Sequence, residues 1–460
     1  MKNITLKSIQ EVTGGKLHNA GSSVDTEISA IVHDSRKITD DCIFLCIKGE
    51  RTDGHNFAQQ AVDAGARAVI CERKPQNFRG TYLLVDSVLE ATQRIAEYYR
   101  RSLGVKVVGI TGSVGKTSTK EFIAAVLSKK YRVHKTKGNF NNQWGVPFTI
   151  FGIDDRTEVA VIEMGISDMG EMDELSRMTR PNIAVITNIG ESHLEFFKTR
   201  EGILKAKTEI FNYMDPNGAI ILNGDDDLLS TIASAKGIRP EFFGMKPSNN
   251  LSAEKIVDHA LEGTEFDMVM RDGGGKMSLH MKLPVPGIQN IYNALAAAAV
   301  GLKMGLSPMQ IRSAFEKMQG ADGRGNIIRT GKYLIIDDCY NASPKSVESS
   351  IDLLSTMNGR KVAILGDMLE LGDKSDKLHF RVGKYAGKAG VDVTICVGSK
   401  SEKTYMGARM STDNQVELFS DKDECIDALP GILKEGDSIL VKASNAMGFG
   451  TIVDAIKHMK

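Results

Sequence analysis

Gly109-Ile110-Thr111-Gly112-Ser113-Val114-Gly115-Lys116-Thr117-Ser118 decides how this 460-residue chain is read. The apolar run Val105 to Thr111 leads into it and reads as a buried strand. Lys116 to Lys129 follows with helical spacing. Strand, glycine-rich turn and helix together let backbone N–H groups wrap phosphate oxygens, with a helix N-terminus aimed at them. Lys116 adds a positive charge near the terminal phosphates, and the Thr117 hydroxyl can ligate Mg²⁺. The pattern is not the full G-x-x-x-x-G-K-[ST], because position 110 is Ile and Gly109 comes one residue early. The loop is the shorter T-G-x-x-G-K-[ST] form, Thr111 to Ser118. A chance glycine-rich turn is the competing reading. Strand, loop, Gly-Lys-Thr and helix in register make nucleotide binding the better one.

Working outward, Val159 to Ile162, Ile183 to Ile186 and Ala219 to Leu222 read as further buried strands. They end in Glu163, Thr187-Asn188 and Asn223. Ligands of parallel doubly wound sheets bind beyond the carboxyl ends of the strands, so these endings belong with the phosphate loop. Upstream, Ile43 to Ile47 and Ala68 to Cys71 read as strands. Phe57 to Ala64 reads as a helix stopped by Gly65, and a second helix runs from about 88 to 102. Downstream, Gly320-Ala321-Asp322-Gly323-Arg324-Gly325 has the three closely spaced glycines of an interdomain hinge. Strands are then expected at Tyr333 to Ile336, Val362 to Leu365, Val393 to Val397 and Ser438 to Val441, with helices between. The expected fold is α/β with three domains. Residues 1–99 form a small N-terminal α/β domain, 100–322 a central doubly wound P-loop domain, and 323–460 a C-terminal Rossmann-like domain.

Length agrees with three domains at about 150 residues each. Apolar residues are 42% and charged residues 25%, and 58 basic residues balance 58 acidic ones. That balance argues against a general nucleic-acid or anionic-membrane surface, while leaving room for a local phosphate pocket. No apolar run is long enough to span a bilayer, and Met1 to Thr5 lacks a signal-peptide core. The six cysteines, at 42, 46, 71, 339, 396 and 425, lack metal-ligand spacing and read as buried or incidental thiols. A cytoplasmic protein is expected.

Other residues near the loop keep two readings each. Glu163 is either a hard oxygen ligand for the nucleotide's metal or a solvated carboxylate. His193, beyond the third strand, is either catalytic or metal-binding, or structural. Lys207 reads as a surface helix lysine. Asn290 and Asn293 could cap a helix or read an adenine edge. Asp338, after the strand ending at Ile336, is either a ribose-binding acid or a turn aspartate.

Taken together these motifs resemble the Mur ligase family of cell-wall peptide ligases over essentially the whole chain. The resemblance rests on the phosphate loop, Glu163-Met164-Gly165, Thr187-Asn188-Ile189-Gly190 with His193-Leu194-Glu195, Ala206-Lys207 and Asn290 to Ala294. Three stretches resemble the branch that adds D-alanyl-D-alanine to UDP-N-acetylmuramoyl-tripeptide. They are Asp337 to Pro344, Gly366 to Gly372, and Gly138 to Asn142 ahead of Gly145-Val146-Pro147. The D-N-P-R motif of the diamino-acid-adding branch is absent.

The resemblance implies an ATP-dependent amide ligase of peptidoglycan precursor synthesis that works through an acyl phosphate. ATP contacts fall to Thr111, Gly112, Ser113, Val114, Gly115, Lys116, Thr117, Ser118, Asn290, Asn293, Arg324 and Asp338. Catalytic roles fall to Lys116, Glu163, His193 and Lys207. Thr117, Glu163, His193 and a carbamylated Lys207 hold Mg²⁺, with two ions expected. Ser35, Arg36, Thr52, Asp53, His55, Asn141, Asn142 and Asn341 contact the substrates. The partners are UDP-N-acetylmuramoyl-tripeptide and D-alanyl-D-alanine, with no nucleic acid and no membrane insertion, and a monomer is expected. Gln289 stands where the family has His, and Asn445 where it tends to have Arg. Two rivals remain. One is another ligase of the superfamily, diamino-acid-adding or folylpolyglutamate-forming. The other is a P-loop ATPase switch that hydrolyses without ligating.

Overall fold

The computed structural model describes residues 1–49, 52–192, 194–272, 275–318 and 325–459. Three sheets organise the chain into a three-domain α/β fold. The first has five strands in the order Lys16–His18, Tyr82–Leu84, Ala68–Cys71, Ile43–Leu45, Ile31–Val32. Only Lys16–His18 runs antiparallel to its neighbour.

The phosphate-loop strand, Lys106–Thr111, lies between Ile183–Ile186 and Val159–Glu163, paired in parallel with both. A strand covered on both faces must be apolar along its length. Val107, Val108 and Ile110 are accordingly buried, as are all five residues of Val159–Glu163. Register sets Ile110 beside Glu163 and Thr111 beside Ile186, so the strand ends converge. The following helix is Lys116–Leu127, shorter by two residues than expected. Gly115, at φ 84°, occupies its N-cap, a left-handed conformation that suits glycine.

The sequence reading places no strand between Asn223 and Asn290, yet the structure puts four there: Glu241–Gly244, Leu251–Asp258, Thr264–Asp272 and Gly275–Leu283. They extend the central sheet to nine strands, the last two pairings antiparallel. Phe266 and Met268 are buried while Glu265 and Asp267 join a surface lattice of ion pairs with Lys255, His280 and Lys282. This is the alternation of a half-buried strand, with charges on its solvent-facing positions.

The third sheet has six strands in the order Asn326–Arg329, Leu334–Asp337, Ser438–Lys442, Lys361–Gly366, Val393–Val397, Gln415–Phe419. All pairings are parallel except at the Asn326–Arg329 edge.

Several contacts hold the first domain on the second, among them the Lys2–Asp155 ion pair. The helix Val88–Ser102 is N-capped by Ser87 and buries Val88, Ala91, Ile95 and Tyr99 on one face. From it the Tyr99 hydroxyl donates to the Ile153 carbonyl at 2.8 Å and Arg100 Nε to the Thr179 carbonyl at 2.9 Å. Separately, the His33 ring packs 4.4 Å from that of Phe148. All six cysteines are free, five of them buried. Among the described residues no helix is long and apolar enough to cross a membrane.

Candidate active site at the carboxyl edge of the central sheet

The phosphate loop is fastened from the neighbouring strand end. Thr187 Oγ1 and Asn188 Nδ2 both donate to the Val114 carbonyl, at 2.6 and 2.9 Å. Asn188 Oδ1 accepts from the Val114 N–H at 3.0 Å, and Ser113 Oγ accepts from the Gly190 N–H at 2.8 Å. One strand further out, Asn223 Nδ2 donates to the Thr187 carbonyl at 2.9 Å. The endings that the sequence groups by position are thus bonded to one another. Gly112 is fixed by space: a Cβ there would lie 1.9 Å from Thr187 Oγ1.

Lys116 donates to the Gly112 carbonyl at 2.8 Å, folded over the loop it serves. The Thr117 hydroxyl donates to Glu163 Oε2 at 2.8 Å, and Asn141 Nδ2 donates to Glu163 Oε1 at the same distance. Glu163 is 1% exposed, which rules out the solvated-carboxylate reading. A carboxylate is buried only when its charge is met, and here Lys120, also 1% exposed, lies 3.8 Å from Oε2. Thr111 is fully buried and its hydroxyl has no partner among the described residues.

Lys207 is not on the surface either. It is 1% exposed on the inner face of the helix Arg200–Thr208, with no ion-pair partner among the described residues. Burial, and secondarily the positive charge of Lys116, holds its amine well below the usual lysine range. An unprotonated amine is the form that can add carbon dioxide, giving a carbamate with oxygen donors. Among the described residues no three His, Cys, Asp or Glu side chains gather as a metal cluster. Oxygen donors for Mg²⁺ are nevertheless in place, the Glu163 carboxylate and the Thr117 hydroxyl, beside an amine competent to become a third. The site fits a hard divalent cation. His193, Arg324 and the first five residues of the Gly320 to Gly325 stretch lie outside the described residues.

Asn290 and Asn293 do not cap a helix. The helix Gln289–Lys303 starts without a side-chain cap. Asn290 Nδ2 donates to the Pro286 carbonyl at 2.7 Å, and Asn293 joins Asn290 Oδ1 (2.9 Å) to the Thr119 hydroxyl (2.8 Å) on the phosphate-loop helix. In the third domain Asp338 pairs with the buried Lys442 and accepts from Ser350 Oγ at 2.6 Å, so it is no turn aspartate. Lys442 also donates to the Asn341 carbonyl at 3.1 Å.

The first-domain residues form their own cluster. His55 is buried, with Nδ1 2.7 Å from Asp53 Oδ1, while its Nε2 accepts from the Glu72 N–H at 3.3 Å. Nδ1 therefore carries the proton and donates to Asp53, whose carboxyl is also paired with Arg73. Arg36 is bound to Asp34 and largely exposed. Asn142 is taken up in a turn, accepting from the Trp144 and Gly145 N–H groups at 3.2 and 2.9 Å. The sequence reading missed Lys120, Thr119 and Thr136, whose hydroxyl accepts the Glu163 N–H at 3.0 Å. Spacing offers one signal for Lys120, which follows Lys116 by one helical turn and shares its face.

The third domain touches this edge directly. Arg381 spans Glu191 (2.9 Å), on the loop after Gly190, and Glu348 (3.2 Å) of its own domain.

Against this geometry, three family descriptions match successive parts of the chain: the Mur ligase family catalytic domain over residues 27–109, the Mur ligase middle domain over 110–301, and the Mur ligase glutamate ligase domain over 323–445. The UDP-N-acetylmuramoyl-tripeptide–D-alanyl-D-alanine ligase of Bacillus subtilis is 38% identical, covering 98% of this chain and 97% of its own. The enzyme of that name from Escherichia coli is 35% identical, covering 100% and 99%. A crystal structure of MurF from Acinetobacter baumannii superposes with a TM-score of 0.90 at 32% identity, covering 99% of both chains. MurF ligase from Thermotoga maritima in complex with ADP gives 0.81 at 29% identity, covering 93% of this chain and 97% of that one.

Proposed function

The chain belongs to the Mur ligase family, and from that premise we propose that it joins D-alanyl-D-alanine to UDP-N-acetylmuramoyl-tripeptide at the expense of ATP, in peptidoglycan precursor synthesis. The observation that carries the chemistry is the meeting of Lys116, Thr117, Glu163 and Lys207 beyond one sheet edge.

The free carboxylate of the tripeptide attacks the γ-phosphorus of ATP. ADP leaves and an acyl phosphate forms. The dipeptide amine then attacks the acyl carbon, loses a proton, and inorganic phosphate leaves. Lys116 and the loop N–H groups meet the charge of the transferring phosphoryl group. Mg²⁺ supplies charge neutralisation between carboxylate and triphosphate, and two ions are proposed. Thr117, Glu163, His193 and Lys207 as its carbamate are the residues to hold them. Carbamylation joins the Lys207 nitrogen to carbon dioxide and releases one proton, which the depressed basicity of the amine favours.

The remaining assignments follow the same reading. Residues 1–99 hold the UDP end through Ser35, Arg36, Thr52, Asp53 and His55. Residues 100–322 hold ATP, with Thr111 to Ser118 on the phosphates and Asn290 and Asn293 toward the adenine. Asn141, which donates to Glu163, and Asn142 are assigned to the peptide substrate. Residues 323–460 bring Arg324 and Asp338 to the nucleotide and Asn341 to the peptide. The protein is proposed to act as a monomer in the cytoplasm.

Release of ADP tests the reading. With UDP-N-acetylmuramoyl-tripeptide present, D-alanyl-D-alanine should drive it and single amino acids should not. Equal release with a diamino acid, or with no acceptor, overturns the assignment of the incoming group.

A further inference from the structure

Two lysines are among the largest fully buried side chains, Lys207 and Lys120, and the reaction as described uses only the first. Lys120 lies on the phosphate-loop helix one turn beyond Lys116. Its ammonium is 3.2 Å from Glu121 Oε1 and 3.8 Å from Glu163 Oε2. Glu121 is paired in turn with Lys135. The Glu163 carboxylate is thereby enclosed: Oε1 faces Asn141, and Oε2 faces both Thr117 and Lys120. Before any nucleotide arrives, the one ammonium that is both buried and within 4 Å of the Glu163 carboxylate among the described residues is that of Lys120.

A divalent ion approaching Glu163 alone meets that ammonium at short range, where burial leaves charge poorly screened. The triphosphate of ATP reverses the sign. We infer that Lys120 is a positioning residue that holds Glu163 in place from the side and makes its metal affinity conditional on the nucleotide, so that Mg²⁺ enters with ATP and does not occupy the site beforehand. This rests on Glu163 being a metal ligand, as proposed above.

Mn²⁺ binding to the full chain, followed by electron paramagnetic resonance with and without a non-hydrolysable ATP analogue, tests it. The wild type should take up Mn²⁺ tightly only with the analogue. Lys120→Met should tighten nucleotide-free Mn²⁺ binding by about tenfold or more, and Lys120→Arg, which keeps the charge, should restore the wild-type weakness. A Lys120→Met affinity within about twofold of wild type overturns the inference, being far below the effect of one unscreened charge. Tight nucleotide-free binding by the wild type overturns it too, and needs no variant to fold. Glu163→Gln separates the two readings. If it leaves Mn²⁺ binding with the analogue unchanged, the ligand assignment itself fails. If it weakens that binding while Lys120→Met changes nothing, only the role of Lys120 fails.

Discussion

At the carboxyl edge of the central sheet, the Thr111 hydroxyl and the Lys207 amine are buried without hydrogen-bonding or ionic partners, respectively, among the described residues. At the same edge of the third-domain sheet, Asp338, Lys442, Ser350 and the Asn341 carbonyl satisfy one another. Both sheets are mostly parallel and both end in buried charge. A buried polar group without a partner costs stability, whereas a closed pair recovers much of that cost. The contrast separates a cluster with unmet groups from one whose members meet each other: the central edge leaves a hydroxyl and an amine without partners among the described residues, and at the third-domain edge Lys442 and Ser350 hold Asp338 in place.

The comparison can be broken from either side. Lys442→Met removes one partner of a buried pair and should cost about 3–5 kcal/mol of unfolding free energy, read as a lower urea midpoint. A loss under about 1 kcal/mol, the size of an exposed pair, would show the cluster is not structural. Lys116→Ala should do the reverse. ADP formation should fall by on the order of 10²–10³-fold, with the circular dichroism spectrum and melting curve unchanged. Near-normal turnover would remove the phosphate loop from the reaction.

Lys207→Ala should lower activity by roughly 10–100-fold, the range for groups that support a metal site. A small carboxylate such as acetate should restore part of it by standing in for the carbamate. Full activity without acetate sinks the carbamate. The stability cost of the cavity it leaves should be partly offset, since burial disfavours the charged form of this amine in the folded protein.

The smallest effect is in the third domain. Burial holds the His379 imidazole below its ordinary value of 6.5, with Nε2 accepting from the Met368 N–H at 2.9 Å and Nδ1 facing the Ser375 carbonyl at 2.9 Å. As pH falls through 6.5 the unfolded chain takes up a proton that the folded one refuses. Stability is therefore full above that value and lost below it, by at most about 1.4 kcal/mol per pH unit. His379→Gln should flatten the fall in urea midpoint between pH 7.5 and 5.5 (about two units, within this limit). An identical slope in both proteins removes His379 as its source.

Much of the site was legible because it is local. Thr111 to Ser118 follows a strand and opens a helix within one short stretch, and the polar strand endings at Glu163, Thr187-Asn188 and Asn223 fall where a parallel sheet puts its ligands. The four strands between Glu241 and Leu283 were not read. Their apolar positions are filled partly by Met and Ala, and cross-strand ion pairs occupy the rest, so the alternation is shallow. Lys207 was read on the wrong side of its helix. Residues distant in sequence decide that: its amine lies within electrostatic reach of Lys116, which folds over the loop carbonyl of Gly112. Asn293 was weighed as a cap or an adenine contact. It proves to tie its helix to Thr119, a bond that exists only once two helices pack.

The sequence by itself determined the three α/β units, the phosphate-gripping turn and the residue types its chemistry needs, because these depend on periodicity and on glycine's freedom over short spans. Tertiary structure alone decided which of those residues carry charge into the interior and what they meet there. Lys120 and Lys207 are each one lysine among many in the chain. Only the packing of the phosphate-loop helix against the Glu163 strand adds that carboxylate to the neighbouring Glu121 around the first, and only the burial of the Arg200–Thr208 helix leaves the second without one among the described residues. The energy of a buried charge depends on its neighbours in space, and a linear sequence does not list them.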